Sequence, residues 1–211
     1  KTIGEELISN DVVAIMELVK NSYDADAKWV KIIFNGEVFT RGDAKNKDFI
    51  IRNGQGNISI EDNGTGMTLE TIKKAWMEPA TIMKKIKSKS DGKRRLLGEK
   101  GVGRFASARL SQNLEMITRV KDDNEIIAVF NWADFSDEKY LDEVDCAWEV
   151  RKPETIKNHG TILSLNNLNL DWDYEKLRGL KTALSRLINP VAPVKNFKIE
   201  IVLPKEFSDL S

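Results

Sequence analysis

Apolar residues recur at helical spacing over residues 5–24, where Val12, Ile15, Leu18 and Val19 cluster on one side of a helix. Glu17, Asn21 and Asp24 fall within roughly 60° of one another on the opposite side. Such a helix lays its apolar stripe on a core and aims three polar groups at one place. Ser9-Asn10-Asp11 marks an interruption near its start. Trp29–Phe34 follows as a strand, then Phe49–Ile51 and Ile58–Ile60, with Asn53-Gly54-Gln55-Gly56 as punctuation. Residues 69–76 suit a short helix.

Residues 77–97 lose clear periodicity and turn basic, with Lys84, Lys85, Lys87, Lys89, Lys93, Arg94 and Arg95. A patternless stretch of that length inside a compact domain is usually functional or mobile. A second helix starts within the glycines near residue 100 and runs to about Leu110. Strands are expected at 114–120, 125–132, 146–151 and 160–166, a helix at 173–187 stopping at Asn189-Pro190, and a last strand over Phe197–Leu203. Several strands are joined by short turns. That favours an α/β, two-layer sandwich, with a mixed, mostly antiparallel sheet and helices on one face.

Composition narrows the class. The chain has 211 residues, enough for one domain with a substantial core, with 41% hydrophobic and 31% charged residues. Thirty-three basic residues balance thirty-three acidic ones, which argues against a dedicated nucleic-acid or membrane-surface domain. Cys146 is the only cysteine, so no internal disulfide can form. No apolar run approaches the roughly 20 residues of a membrane span, and no signal peptide is visible. A cytoplasmic setting is the expectation. The first residue is Lys1, and the expectation is a fragment of a longer protein. The five tryptophans read as core or half-buried anchors.

Three blocks carry the chemistry. In Glu17-Leu-Val-Lys-Asn21-Ser-Tyr-Asp24-Ala25, the Asn21 side chain offers a neutral carbonyl oxygen, suited to a hard ion that keeps most of its waters and binds substrate phosphates. Glu17, one turn earlier, faces the same place, where a carboxylate can orient or deprotonate water. In Asp62-Asn63-Gly64-Thr65-Gly66-Met67 a carboxylate ends a strand beside two glycines that allow a tight turn. A buried carboxylate accepts from an adenine amino group and rejects guanine, which presents a carbonyl there. In Gly98-Glu-Lys100-Gly101-Val102-Gly103-Arg104 the glycines can expose main-chain N–H groups at a helix start, an anion nest. The G-x-G-x-x-G and G-x-x-x-x-G-K-[ST] spacings are absent.

In this order and at these separations the blocks resemble the N, G1 and G2 boxes of the GHKL nucleotide-binding superfamily. It includes the ninety-kilodalton heat-shock chaperones, gyrase B, the MutL proteins and the sensor histidine kinases. The resemblance implies a two-layer ATP-binding fold over residues 1–211, with a flexible lid at about 77–100. It assigns Asn21 to magnesium and the triphosphate, Glu17 to water activation and Asp62 to adenine. Asp24, Ala25, Gly66 and Met67 would line the base side, and Gly98, Lys100, Gly101, Val102, Gly103 and Arg104 the phosphates. Gly160-Thr161 resembles the last box, in which the threonine hydroxyl supports the aspartate.

Glu followed four residues later by Asn is the pattern of the hydrolysing branches, and the first block looks closest to MutL and the chaperones. Hydrolysing relatives often receive a Lys or Arg from a following domain, so slow turnover by this fragment alone is expected. Other readings stay open: the catalytic domain of a sensor histidine kinase, and a regulatory module in which ATP drives homodimerisation. Residues 84–95 can be lid, solvated loop or nucleic-acid patch, and Lys100 a point charge or an exposed lysine. His159, the only histidine, reads as a surface loop residue.

Overall fold

The computed structural model describes residues 10–42, 48–77, 103–132, 146–188 and 197–210. The apolar stripe read in the sequence is the buried side of helix α1, Asp11–Asp24, where Ala14, Ile15, Leu18 and Val19 are buried. Asn10 caps it by accepting the Val13 N–H at 2.9 Å, which accounts for the interruption expected at this point.

Alternation of period two runs through the strands β1 (Trp29–Asn35), β4 (Asn57–Asp62), β5 (Ser111–Arg119), β6 (Glu125–Asn131) and β8 (Gly160–Leu168), whereas β7 (Cys146–Arg151) is exposed along its middle four residues. Two short strands, β2 (Val38–Arg41) and β3 (Asp48–Ile51), lie between β1 and β4. Late in the chain come β9 (Trp172–Asp173) and β10 (Lys198–Val202). The main sheet has seven strands in the order β10-β1-β4-β8-β5-β6-β7. β10 and β1 are parallel and the remaining pairs antiparallel. The mixed, mostly antiparallel sheet is therefore as read from the sequence.

Val30, Ile32 and Phe34 of β1, Ile58 and Ile60 of β4, and Leu163 and Leu165 of β8 turn one face of the sheet into a core. Over it lie α1, α3 (Gly103–Leu110) and α4 (Tyr174–Ile188), with α1 against both of the others. Leu69–Ile72 forms the short helix α2, which continues as a π turn over Lys73–Met77. Asp11, buried at the start of α1, binds Arg109 of α3 at 3.1 Å and Lys176 of α4 at 2.8 Å. One carboxylate thus ties the three helices together, with both oxygens satisfied.

A second sheet, β2-β3-β9, was not foreseen. It is joined to the first by the edge-on contact of Phe34 with Trp172, whose ring centroids are 5.0 Å apart. The anchoring expected of the tryptophans needs correction. Trp76, Trp132 and Trp172 are buried, but Trp29 and Trp148 are exposed at strand positions. Cys146 is half-buried on β7, and burial pushes its thiol up to about 11.

Glu125 is a buried carboxylate outside the boxes. It accepts the N–H groups of Glu154, Thr155 and Ile156, and Arg151 lies 3.2 Å away. Burial alone would raise its pKa, but these donors outweigh it and hold the group below the ordinary range. The depressed pKa means that its stabilisation is complete above the unfolded value and is lost as pH falls through the folded one. Glu125→Ala strands three amides and a guanidinium. It should lower stability by about 3 kcal/mol at neutral pH, with the difference from wild type shrinking in acid; urea melts at several pH values measure this.

Candidate functional site

α1 presents Glu17, Asn21 and Asp24 on one flank, each partly exposed. The Glu17 carboxylate is paired with the Lys20 ammonium at 2.5 Å. Asn21 meets the start of α3. A Cβ built on Gly103 would lie 2.8 Å from the Asn21 amide nitrogen and 3.6 Å from the Trp76 ring. Two sequence blocks some eighty residues apart therefore come together at the N-terminal end of α3, the end at which a helix dipole favours an anion.

The third block joins from the sheet. Asp62 ends β4; one carboxylate oxygen accepts the Gly64 N–H at 2.8 Å and the other accepts the Ser22 hydroxyl at 2.8 Å. Ser22 follows Asn21 and is buried, so α1 faces the start of α3 with one residue and Asp62 with the next. Burial pushes the Asp62 carboxyl above its ordinary range. Hydrogen bonds from Gly64, Ser22 and the Thr161 main chain, with His159 nearby, pull the other way and only partly offset it.

The turn after Asp62 is pinned on several sides. Asn63 accepts the N–H groups of Lys28 and Trp29 at 2.9 and 3.1 Å. The Ala25 carbonyl accepts the Thr65 N–H at 2.8 Å. Gly66 has φ +72°, and a Cβ there would fall 2.0 Å from the Arg119 carbonyl oxygen, so both backbone conformation and space demand glycine. Met67 is fixed by its N–H donating to the Thr118 hydroxyl at 2.9 Å. Thr118 donates in turn to the Gly160 carbonyl at 3.1 Å, so the Thr161 hydroxyl, 3.0 Å away, is the donor to Thr118.

The structure thus brings Asn21, Ala25, Asp62, Gly66, Met67, Gly103 and Thr161 together around one end of α1 and the sheet, with Glu17 one turn before Asn21 and Asp24 in the last turn of α1. Thr161 reaches Asp62 through its main chain, and its hydroxyl is engaged by Thr118. Arg104 is buried, its guanidinium 5.0 Å from the Phe105 ring centroid. Gly98, Lys100, Gly101, Val102 and the lid segment lie outside the described residues.

Ser22, Asn63, Thr118 and His159 were not picked out for the site. Ser22 carried a signal, as a small polar residue at the edge of the apolar stripe. The others depend on partners thirty-four to ninety-five positions away in sequence.

Among the described residues no group of three or more His, Cys, Asp or Glu side chains is placed to hold a metal ion alone. No helix among them is long and apolar enough to cross a membrane. Asn21, as a lone neutral oxygen donor beside an anion-favouring helix start, suits an ion that arrives with phosphates rather than one held in a protein cage.

Comparison with known proteins agrees with this arrangement. Residues 8–161 match the model of the histidine kinase-, DNA gyrase B-, and HSP90-like ATPases. Among curated relatives, the chaperone protein HtpG of Geobacter sulfurreducens is 28% identical over 155 residues, 70% of this chain and 24% of the chaperone. HtpG of Bacteroides thetaiotaomicron is 29% identical over 69% of this chain and 21% of its own length. That of Buchnera aphidicola from Schizaphis graminum is 32% identical over 54% and 19%. The chain spans about a quarter or less of these relatives. The family match covers all three boxes and reaches the start of β8 at Thr161, and the chain belongs to the histidine kinase-, DNA gyrase B- and HSP90-like ATPases, on the side of the heat-shock chaperones.

Proposed function

We propose that this chain is a magnesium-dependent ATP-binding module that hydrolyses ATP slowly and converts nucleotide occupancy into a conformational change or dimerisation. The observation that carries this reading is the convergence of Asn21, the start of α3 and, through Ser22, Asp62. It supports reading Asp62 as the base-recognising carboxylate and the start of α3 as the phosphate end, both reached from successive residues of α1.

In this reading Asp62 accepts the adenine amino group, and Asp24, Ala25, Gly66 and Met67 shape the base side. Thr161 buttresses Asp62 from β8. Gly103 and Arg104 begin the phosphate helix, with Gly98, Lys100, Gly101 and Val102 before it, and residues 77–100 act as lid. Asn21 would hold magnesium, which when bound neutralises phosphate charge. Glu17 draws a proton from the attacking water once Lys20 releases it. The position of Glu17, four residues before Asn21, favours hydrolysis over transfer to histidine. A downstream domain of the same protein supplies a further cation in the active assembly, in a cytoplasmic setting.

Calorimetric titration with a non-hydrolysable ATP analogue, with and without magnesium and against the GTP counterpart, tests the reading. Magnesium-dependent binding with a preference for adenine is the expected result, with little turnover by this fragment alone. Equal affinity for both bases would remove Asp62 as the base reader.

A further inference from the structure

The single histidine belongs to the base site. His159 Nδ1 lies 2.6 Å from the Gly64 carbonyl oxygen, across ninety-five residues of sequence. A carbonyl can only accept, so Nδ1 carries the hydrogen of this bond and the neutral ring is the Nδ1–H tautomer. The ring's height is set by its neighbour. Gly160 has φ +143°, and a Cβ there would fall 2.2 Å from the Asp62 carbonyl oxygen, so β8 enters the sheet as close to Asp62 as a main chain can.

Gly64 is held by two hydrogen bonds of opposite sense. Its N–H donates to the Asp62 carboxylate, and its C=O accepts from His159. The peptide on either side of the Gly64 α-carbon is therefore clamped between the base-reading group and the ring. We propose that His159 is a positioning residue for base recognition: by fixing the Gly64 carbonyl it orients the Gly64 N–H, and with it the carboxylate plane that Asp62 presents to adenine. The proposal rests on the nucleotide-site reading given above. His159 does not itself touch the base; it acts through Gly64 on Asp62. When protonated, the ring also favours the ionised, accepting form of the carboxylate, as the smallest of the influences on Asp62.

Because this is the only histidine, its ring nitrogens can be read without assignment ambiguity. A long-range proton–nitrogen spectrum in alkaline buffer, where imidazole is neutral, should show Nδ1–H. An Nε2–H ring would overturn the proposal whether or not nucleotide binds. Calorimetry on wild type, His159→Ala and His159→Asn with the ATP and GTP analogues supplies the functional arm. The alanine variant should lose about five- to tenfold in affinity for the ATP analogue, with a narrower preference for adenine. Asparagine, whose amide can donate from nearly the same place, should recover most of both.

Unchanged affinity and preference in His159→Ala would overturn the role. So would a loss that tracks the melting temperature in both variants with the preference intact, since that is scaffold damage alone. If wild type binds neither analogue, the site reading itself fails, and the positioning role falls with it.

Discussion

Asp62→Asn should reduce affinity for an ATP analogue by about a hundredfold or more while leaving the melting temperature within about 2 °C of wild type. The carboxylate offers an acceptor at each oxygen, and the structure uses one for the Gly64 N–H and the other for the Ser22 hydroxyl. Asparagine keeps a single acceptor, and Gly64, which can only donate, takes it. Its NH2 then lies toward Ser22, whose hydroxyl can reverse and accept, so the bonds to Gly64 and Ser22 both survive. An incoming adenine amino group meets a donor where it needs an acceptor, and that mismatch is buried.

The pKa of Asp62 points the same way. Because the folded value is raised, the fold holds the protonated carboxyl more readily than the ionised one. Stability associated with this group is therefore present at low pH and declines as pH rises through the folded value. A neutral amide does not weaken the fold at pH 7. The corollary is that wild-type affinity for adenine falls as pH drops through that raised range, and the asparagine variant shows no such fall. Calorimetry at several pH values, beside thermal melts, checks both parts. Normal binding by a folded Asp62→Asn protein would end the base-pocket assignment.

Periodicity exposed the elements with enough residues to show it. α1 has four buried apolar residues over two turns, and β1, β4 and β8 alternate cleanly. β2 is four residues with only Val38 and Phe39 apolar, and β9 is two residues long, so neither can display a period. The 3₁₀ segment Lys205–Leu210 buries Phe207 and Leu210 alone, and its reason lies in distant partners such as Phe49. The site divides along similar lines. Asn21, Asp62 and Gly103 were legible as boxes because glycine and carboxylate patterns are local. Ser22 to Asp62, Met67 to Thr118 and Gly64 to His159 are contacts between separate strands and helices, which only the folded sheet brings into register.

Glu17→Gln is expected to lower ATP turnover by about 10²- to 10⁴-fold, the usual worth of a positioned general base, with nucleotide affinity unchanged. The side chain is 12% exposed, one helical turn from Asn21, and in this structure its carboxylate is occupied by Lys20. That pair is formed within one turn of one helix, and such partly exposed pairs contribute little to stability. Glutamine preserves shape and can still orient water by hydrogen bonding, but it cannot accept a proton. A fall in the chemical step without a fall in affinity therefore separates proton abstraction from binding.

Lys20→Ala sharpens the test. If the ammonium restrains the base, its removal should leave turnover intact or raise it, whereas Glu17→Gln lowers it in either background. Single-turnover measurement with labelled ATP is the suitable assay, because slow product release would otherwise conceal the chemistry. Wild-type turnover in the glutamine variant would mean that another group activates the water. Label appearing on a histidine of the protein, rather than in free phosphate, would replace hydrolysis by phosphotransfer.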